Sequence, residues 1–110
     1  ILINVKTGMS LFEEETFGPV IGVPNFKDEK EALAFANHSN YGLGVSVIYE
    51  DLDFAKKIMP QFEDGAVFIN YLVKSDPRLP FGGTKSSGYG RELSEHGIRE
   101  FVNRKTVYFK

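Results

Sequence analysis

The stretch from Leu43 to Tyr71 constrains the chain more than any other. "LGVSVIY" at 43–49 is apolar and β-branched and reads as a strand. Asp51 or Asp53 can open a helix after it, because a short carboxylate accepts the free N–H groups of a first turn. Phe54, Ala55, Ile58, Met59 and Phe62 then recur at the spacing of one buried helical face. Pro60 has no N–H to bond back to Lys56, so a kink or an early end is expected there. "EDG" turns the chain and "AVFINY" at 66–71 follows, apolar on both faces like a parallel strand covered on each side. Strand, helix and strand over this length predict a right-handed βαβ unit, and with it an α/β fold.

The flanking segments carry weaker versions of the same signals. Ile1 to Val5 reads as a strand and "KTGMS" as a turn. Phe12 to Val23 reads as extended, interrupted at Gly18 and Pro19. Asp28 followed three residues later by Glu31 resembles a capping box, and predicts a helix from about Lys27 to His38. "NYG" stops that helix, with Gly42 free to take positive φ. Ser94 is the expected N-cap of a short helix over "SEHGIREFV", and "NRKTVYF" closes the chain as a strand. No repeat or low-complexity segment interrupts this order.

Composition narrows the function classes. The 110 residues suffice for one domain. With 13 basic and 15 acidic residues, a net charge of −2 gives no electrostatic reason to expect nucleic acid or an anionic membrane as partner. The longest apolar runs, such as Ala66 to Ile69, are far too short to span a bilayer. The absence of cysteine excludes disulfides, thiolate metal sites and a cysteine nucleophile within these residues. It fits a reducing compartment, and a cytoplasmic location is expected. His38 and His96 have no partners at metal-ligand spacing, so no metal is expected. His38 ends a helix, where its charge suits the dipole. The chain opens inside an apparent strand, "ILINV", with no initiator Met, so a fragment of a longer protein is expected.

"PFGGTKSSGYGRE" at 80–92 tests two phosphate-binding patterns and satisfies neither. The P-loop needs a glycine immediately before Lys-Ser, and Thr84 stands there. The dinucleotide fingerprint begins at Gly88-Tyr89-Gly90, but Leu93 takes the place of the third glycine. Gly42-Leu43-Gly44 fails in the same way at Val47. The residues themselves favour a shaped loop whose glycines permit tight turns, anchored by Phe81 and Tyr89.

"EEETFGPV" at 13–20, "NYGLGVSVI" at 40–48, "AVFIN" at 66–70 and "PFGGTKSSGYGRE" at 80–92 together resemble the C-terminal part of the aldehyde dehydrogenase family. The order and spacing match, and the resemblance covers essentially the whole chain. Within the family, "SDPRLPFGG" and "RELSEHGIREF" look most like the bacterial succinate-semialdehyde branch. The resemblance implies NAD(P)-dependent oxidation of an aldehyde to an acid. A cysteine thiolate attacks the carbonyl, hydride passes to the nicotinamide, and a glutamate activates water against the thioester. In the family the cysteine and the general base lie upstream of the matched region, so no catalytic residue is expected in this chain. The resemblance makes 1–102 the C-terminal part of the catalytic domain and 103–110 an oligomerisation-sheet strand. It implies NAD or NADP as cofactor, a small aldehyde as substrate and a dimer or tetramer as assembly.

Four residues inherit roles from it, and a fifth, Arg78, is a candidate on chemistry alone. Glu13, Glu14 and Glu15 read from composition as a solvated acidic face. If extended, the segment puts Glu13, Glu15 and Phe17 on one side. The family's nicotinamide-ribose glutamate matches Glu15, and Phe17 lies beside the nicotinamide. Ser75, Asp76 and Arg78 read from sequence as turn residues, Asp76-Pro77 being a common turn pair. The resemblance makes Ser75, five residues after Asn70, a ligand of the distal carboxylate of succinate semialdehyde. It makes Phe81 an aromatic lining of the aldehyde funnel. Arg78 is a further carboxylate candidate, since a guanidinium holds a carboxylate through two bonds, although the family's carboxylate-binding arginines lie outside these residues. Lys85 and Arg91 are read as surface or loop-bracing residues. Two other functions stay open: an aldehyde dehydrogenase of different substrate, and a stand-alone binding or assembly domain without chemistry. A substrate panel separates the first, and the length of the gene product the second.

Overall fold

The computed structural model describes residues 1–110 and forms two compact units, Ile1–Ser39 and Asn40–Lys110. In the first, strand β1 (Leu2–Ile3) pairs parallel with β2 (Gly22–Val23), Leu2 opposite Gly22. The crossover between them carries a single helical turn, α1 (Ser10–Glu13), where the sequence suggested a turn through Ser10 and extended chain from Phe12. The turn has a tertiary cause. Phe12 sets its ring edge-on to Phe35, centroids 5.4 Å apart. Gly22 lets Leu11 and Val5 close over β2, since a Cβ there would stand 3.1 Å from Leu11. Four residues do not hold a helix by propensity, so this packing fixes it.

Helix α2 (Glu29–His38) follows the capping signal closely. Asp28 accepts from the Glu31 N–H at 2.8 Å, and the Glu31 carboxylate accepts from the Lys27 N–H at 2.8 Å. The return bond lands one residue before the cap rather than on the cap itself. The helix stops at His38 with Ser39 extended. Gly42 does not supply a left-handed stop. It lies in strand β3 (Tyr41–Gly42), and its missing Cβ leaves room for the Thr84 hydroxyl.

In the second unit β3 pairs antiparallel with β6 (Thr84–Lys85), tying the glycine-rich loop to the end of the "NYG" segment. Strand β4 (Val45–Val47), helix α3 (Leu52–Ile58) and strand β5 (Val67–Ile69) form the expected βαβ unit, with β4 and β5 paired parallel, Ser46 opposite Phe68. Asp51 caps α3, accepting from the Asp53 and Phe54 N–H groups at 3.0 Å. Ala55, within the helix, is fully buried. The α-helix ends at Ile58, and Pro60 sits within the 3₁₀ turn Met59–Gln61 that follows, as its missing donor requires. Val67, Phe68 and Ile69 are each half-buried rather than fully covered.

Helix α4 (Ser94–Glu100) begins one residue earlier than its serine cap would place it, with Leu93 in the cap position at φ 62°. The Ser94 hydroxyl still accepts from the His96 N–H at 3.3 Å. Residues 103–110 pair with no strand of this chain and are exposed throughout. No helix is long and apolar enough to cross a membrane.

Candidate functional site

In the first unit the acidic run divides into two uses. Glu13 ends α1, so it does not share an extended face with Glu15 and Phe17 as the sequence suggested. Its Oε1 accepts from the Gly8 N–H at 2.7 Å, and its Oε2 lies 2.8 Å from His38 Nε2. The Gly8 N–H and then the His38 ring hold the Glu13 carboxyl below its ordinary value. The chain then leaves α1 in non-helical conformation through Glu15, Thr16 and Phe17. Glu15 is exposed and free of hydrogen bonds and ion pairs, and the Phe17 ring is 92% exposed. Two free carboxylate oxygens and a bare aromatic face two residues on suit a ribose diol and the base it carries. The residues therefore fit a nicotinamide nucleotide. His38 carries a partner that sequence spacing did not reveal.

In the second unit the substrate candidates lie beyond the carboxyl end of the β4–β5 pair, where open α/β sheets bind their ligands. Asn70 terminates the pair. Its N–H donates to the Val47 carbonyl at 2.8 Å. Its carboxamide continues the ladder, accepting from the Tyr49 N–H and donating to the Tyr49 carbonyl, each at 2.8 Å. With φ at 54° it then turns the chain away from the strand direction. Asparagine tolerates that region better than most side chains. A hollow of about 440 Å³ opens there, lined by Ile48, Asn70, Tyr71, Leu72, Val73 and Lys74. Ser75 follows directly, exposed.

Arg78 folds back on its own loop. Its Nε donates to Asp76 Oδ1 at 2.9 Å and its Nη2 to Asp76 Oδ2 at 2.6 Å, a two-pronged bond within three residues. The backbone N–H of Arg78 adds a third bond to Asp76 Oδ1 at 2.9 Å. The fork first, and this N–H second, hold the Asp76 carboxyl well below the usual carboxylate range, and Asp76 raises Arg78 in turn.

The loop returns at Phe81, which is half-buried and exchanges two backbone bonds with Glu92, at 2.9 and 2.8 Å. Gly82 and Gly83 of this loop, and Gly65 facing it, serve close approach. A Cβ on Gly65 would collide with the Gly82 carbonyl, and one on Gly82 would stand 2.7 Å from the Gly90 carbonyl. Arg91 Nη1 donates to the Gly83 and Gly90 carbonyls at 2.9 and 2.7 Å, and Lys85 pairs with Glu63 at 2.7 Å. Burial pushes the neighbouring Asp64 carboxyl up, partly offset by Lys85. The Ser86 and Ser87 N–H groups bond to the Asn40 and Thr84 carbonyls. Those two donors are committed inside the protein and are not offered to a phosphate. Lys85 and Arg91 both serve as braces.

Comparison with known proteins gives the family. Residues 1–107 match the model of the aldehyde dehydrogenase family. The chain is 48% identical over 107 residues to a succinate-semialdehyde dehydrogenase [NADP(+)] of Deinococcus radiodurans, covering 97% of the chain and 22% of that protein. It is 44% identical to a chloroplastic betaine aldehyde dehydrogenase of Amaranthus hypochondriacus, covering 97% of the chain and 21% of that protein. Among solved structures, the succinic semialdehyde dehydrogenase of Streptococcus pyogenes, in complex with NADP+, superposes with a TM-score of 0.91 at 42% identity, covering 97% of the chain and 24% of that one. The chain thus spans between a fifth and a quarter of the length of these relatives. By sequence and by fold, it belongs to the aldehyde dehydrogenase family.

Proposed function

We propose that this chain is the C-terminal part of the catalytic domain (1–102), with an oligomerisation strand (103–110), of a cytoplasmic NAD(P)-dependent aldehyde dehydrogenase that oxidises succinate semialdehyde to succinate. The observation that carries the substrate is the exposed Ser75 hydroxyl, on a loop launched by Asn70 from the carboxyl end of a parallel strand and closed at Phe81. The resemblance of that loop to the succinate-semialdehyde branch supports the same choice.

In this reading the nicotinamide, once bound, supplies the hydride acceptor. Glu15 accepts hydrogen bonds from two ribose hydroxyls, and Phe17 shields one side of the base. The bond to the aldehyde carbon is made by a thiolate from outside this chain, which contains no cysteine. Ser75 donates to the carboxylate at the far end of the substrate, because a buried carboxylate without partners is costly. Phe81 lines the apolar path of the intervening carbons. Arg78 reaches the substrate carboxylate only by exchanging Asp76 for it. Val107 and Phe109 on one face of the tail, with Thr106 and Tyr108 on the other, suit pairing with another subunit in a dimer or tetramer.

A second reading, an aldehyde dehydrogenase of other substrate, draws on the betaine aldehyde dehydrogenase at 44% identity. The Ser75→Ala variant of the full-length enzyme separates the two. Losing one hydrogen bond to a charged group costs roughly 1.5–3 kcal/mol, or roughly ten- to a hundredfold in affinity. KM for succinate semialdehyde should rise by that factor while KM for butanal stays nearly constant. An equal loss on both aldehydes contradicts the succinate-semialdehyde reading.

A further inference from the structure

Helix α1 is a single turn, too short to persist by itself. Three ties hold it. Leu11 packs on Gly22 of β2. Phe12 sets its ring against Phe35 and His38 of α2, centroids 5.4 and 5.3 Å apart. Glu13, its last residue, uses both carboxylate oxygens: Oε1 closes back on the Gly8 N–H at 2.7 Å, and Oε2 meets His38 Nε2 at 2.8 Å. The first two ties fix the body of the turn. Beyond the backbone bonds of the Glu13 and Glu14 N–H groups to the Met9 and Ser10 carbonyls, at 3.1 and 2.8 Å, only the third is a side-chain tie at the residue from which the chain departs toward Glu15. Two residues of chain span at most about 7 Å, so the anchor at Glu13 limits where the Glu15 carboxylate can go. Glu15 itself has no hydrogen bond that could restrain it.

We infer that Glu13 and His38 form a clasp that positions Glu15 for the cofactor's ribose, so that both are positioning residues of the dehydrogenase. The inference rests on the reading of Glu15 proposed above. It assigns separate jobs to neighbouring carboxylates: Glu13 faces the protein, and Glu15 the ligand.

The test is steady-state kinetics of the full-length enzyme with the cofactor varied. Glu13→Ala and His38→Ala should each raise KM for NAD(P)+ by roughly fivefold, the scale expected of a solvent-screened ion pair. KM for the aldehyde should not move. Glu13→Gln, which keeps an acceptor for Gly8 and a hydrogen-bonding partner for His38, should recover most of the loss. A merely destabilised enzyme would lose active protein, and so apparent kcat, without this selective change in KM. In a Glu15→Gln background, Glu13→Ala should add little, since both act on one contact. If Glu15→Gln raises cofactor KM while Glu13→Ala leaves it unchanged, or the two effects add in full, the clasp inference is overturned and the Glu15 reading survives. If Glu15→Gln itself leaves cofactor KM unchanged, both fall together.

Discussion

Asp76 and Arg78 grip each other through bonds of 2.6 and 2.9 Å, and that grip bears on substrate recognition. A guanidinium already paired with a carboxylate gains little by trading it for another. Arg78→Ala should therefore change KM for succinate semialdehyde less than Ser75→Ala does, in the same assay on the full-length enzyme. A larger effect at Arg78 would show that the fork opens for substrate. Glu13 gives a pH-dependent prediction. Its carboxyl is lowered in the folded protein, so it contributes stability above the ordinary value of 4.5 that is lost as pH falls through the lowered one. The difference in thermal midpoint between wild type and Glu13→Gln should thus narrow on acidification below about pH 4.5. A constant difference would mean that the carboxylate charge is immaterial there. Motifs singled out Glu15, Ser75 and Phe81 as candidates, and the proposed variants test their roles. The Glu13–His38 pair was not legible, because 25 residues separate its members and neither has a local signature. The Asp76–Arg78 fork was half legible: the turn was evident from Asp-Pro, but the ion pair across the proline was not.

At the scale of elements, capping and close approach make the sharpest predictions. Asp28→Ala removes the acceptor at the start of α2 and should cost about 1 kcal/mol, read as a lowered urea midpoint in the full-length enzyme. Gly65→Ala should cost more, because the added Cβ meets the Gly82 carbonyl, which is backbone and cannot swing aside. Equal midpoints for the two variants would contradict the close packing of the glycine-rich loop. Helices α2 and α3 were legible because their caps and periodicity lie within one segment. The β4–β5 pair was legible because its two runs are apolar and joined by a helix. Strands β3 and β6 have two residues each and exist only because Gly42 admits Thr84, a relation between positions 42 residues apart. Helix α1 was missed, its Phe12 and Glu13 read as extended, because four residues carry no period, and its packing on Phe35 and Gly22 holds it instead.

The chain as a whole leaves far more apolar surface open than its composition calls for. Only Val5 and Ala55 are buried hydrophobics, while Ile1, Phe17, Leu72, Phe101 and Phe109 are each at least three-quarters exposed. The accessible surface is 8962 Å² for 12.4 kDa, against roughly 6,000 Å² for a folded monomer of that mass. A purified 110-residue chain should therefore self-associate, and a monodisperse monomer in light scattering at high concentration would count against this. That same chain should oxidise no aldehyde, having no thiol to attack the carbonyl. The central claim concerns the enzyme that carries this segment. The most direct measurement is its aldehyde-dependent NAD(P)H formation, compared as kcat/KM for succinate semialdehyde, betaine aldehyde and butanal. The account predicts that succinate semialdehyde is preferred over both by at least roughly tenfold, the selectivity of one charged hydrogen bond. Equal or greater kcat/KM for betaine aldehyde or butanal would contradict it.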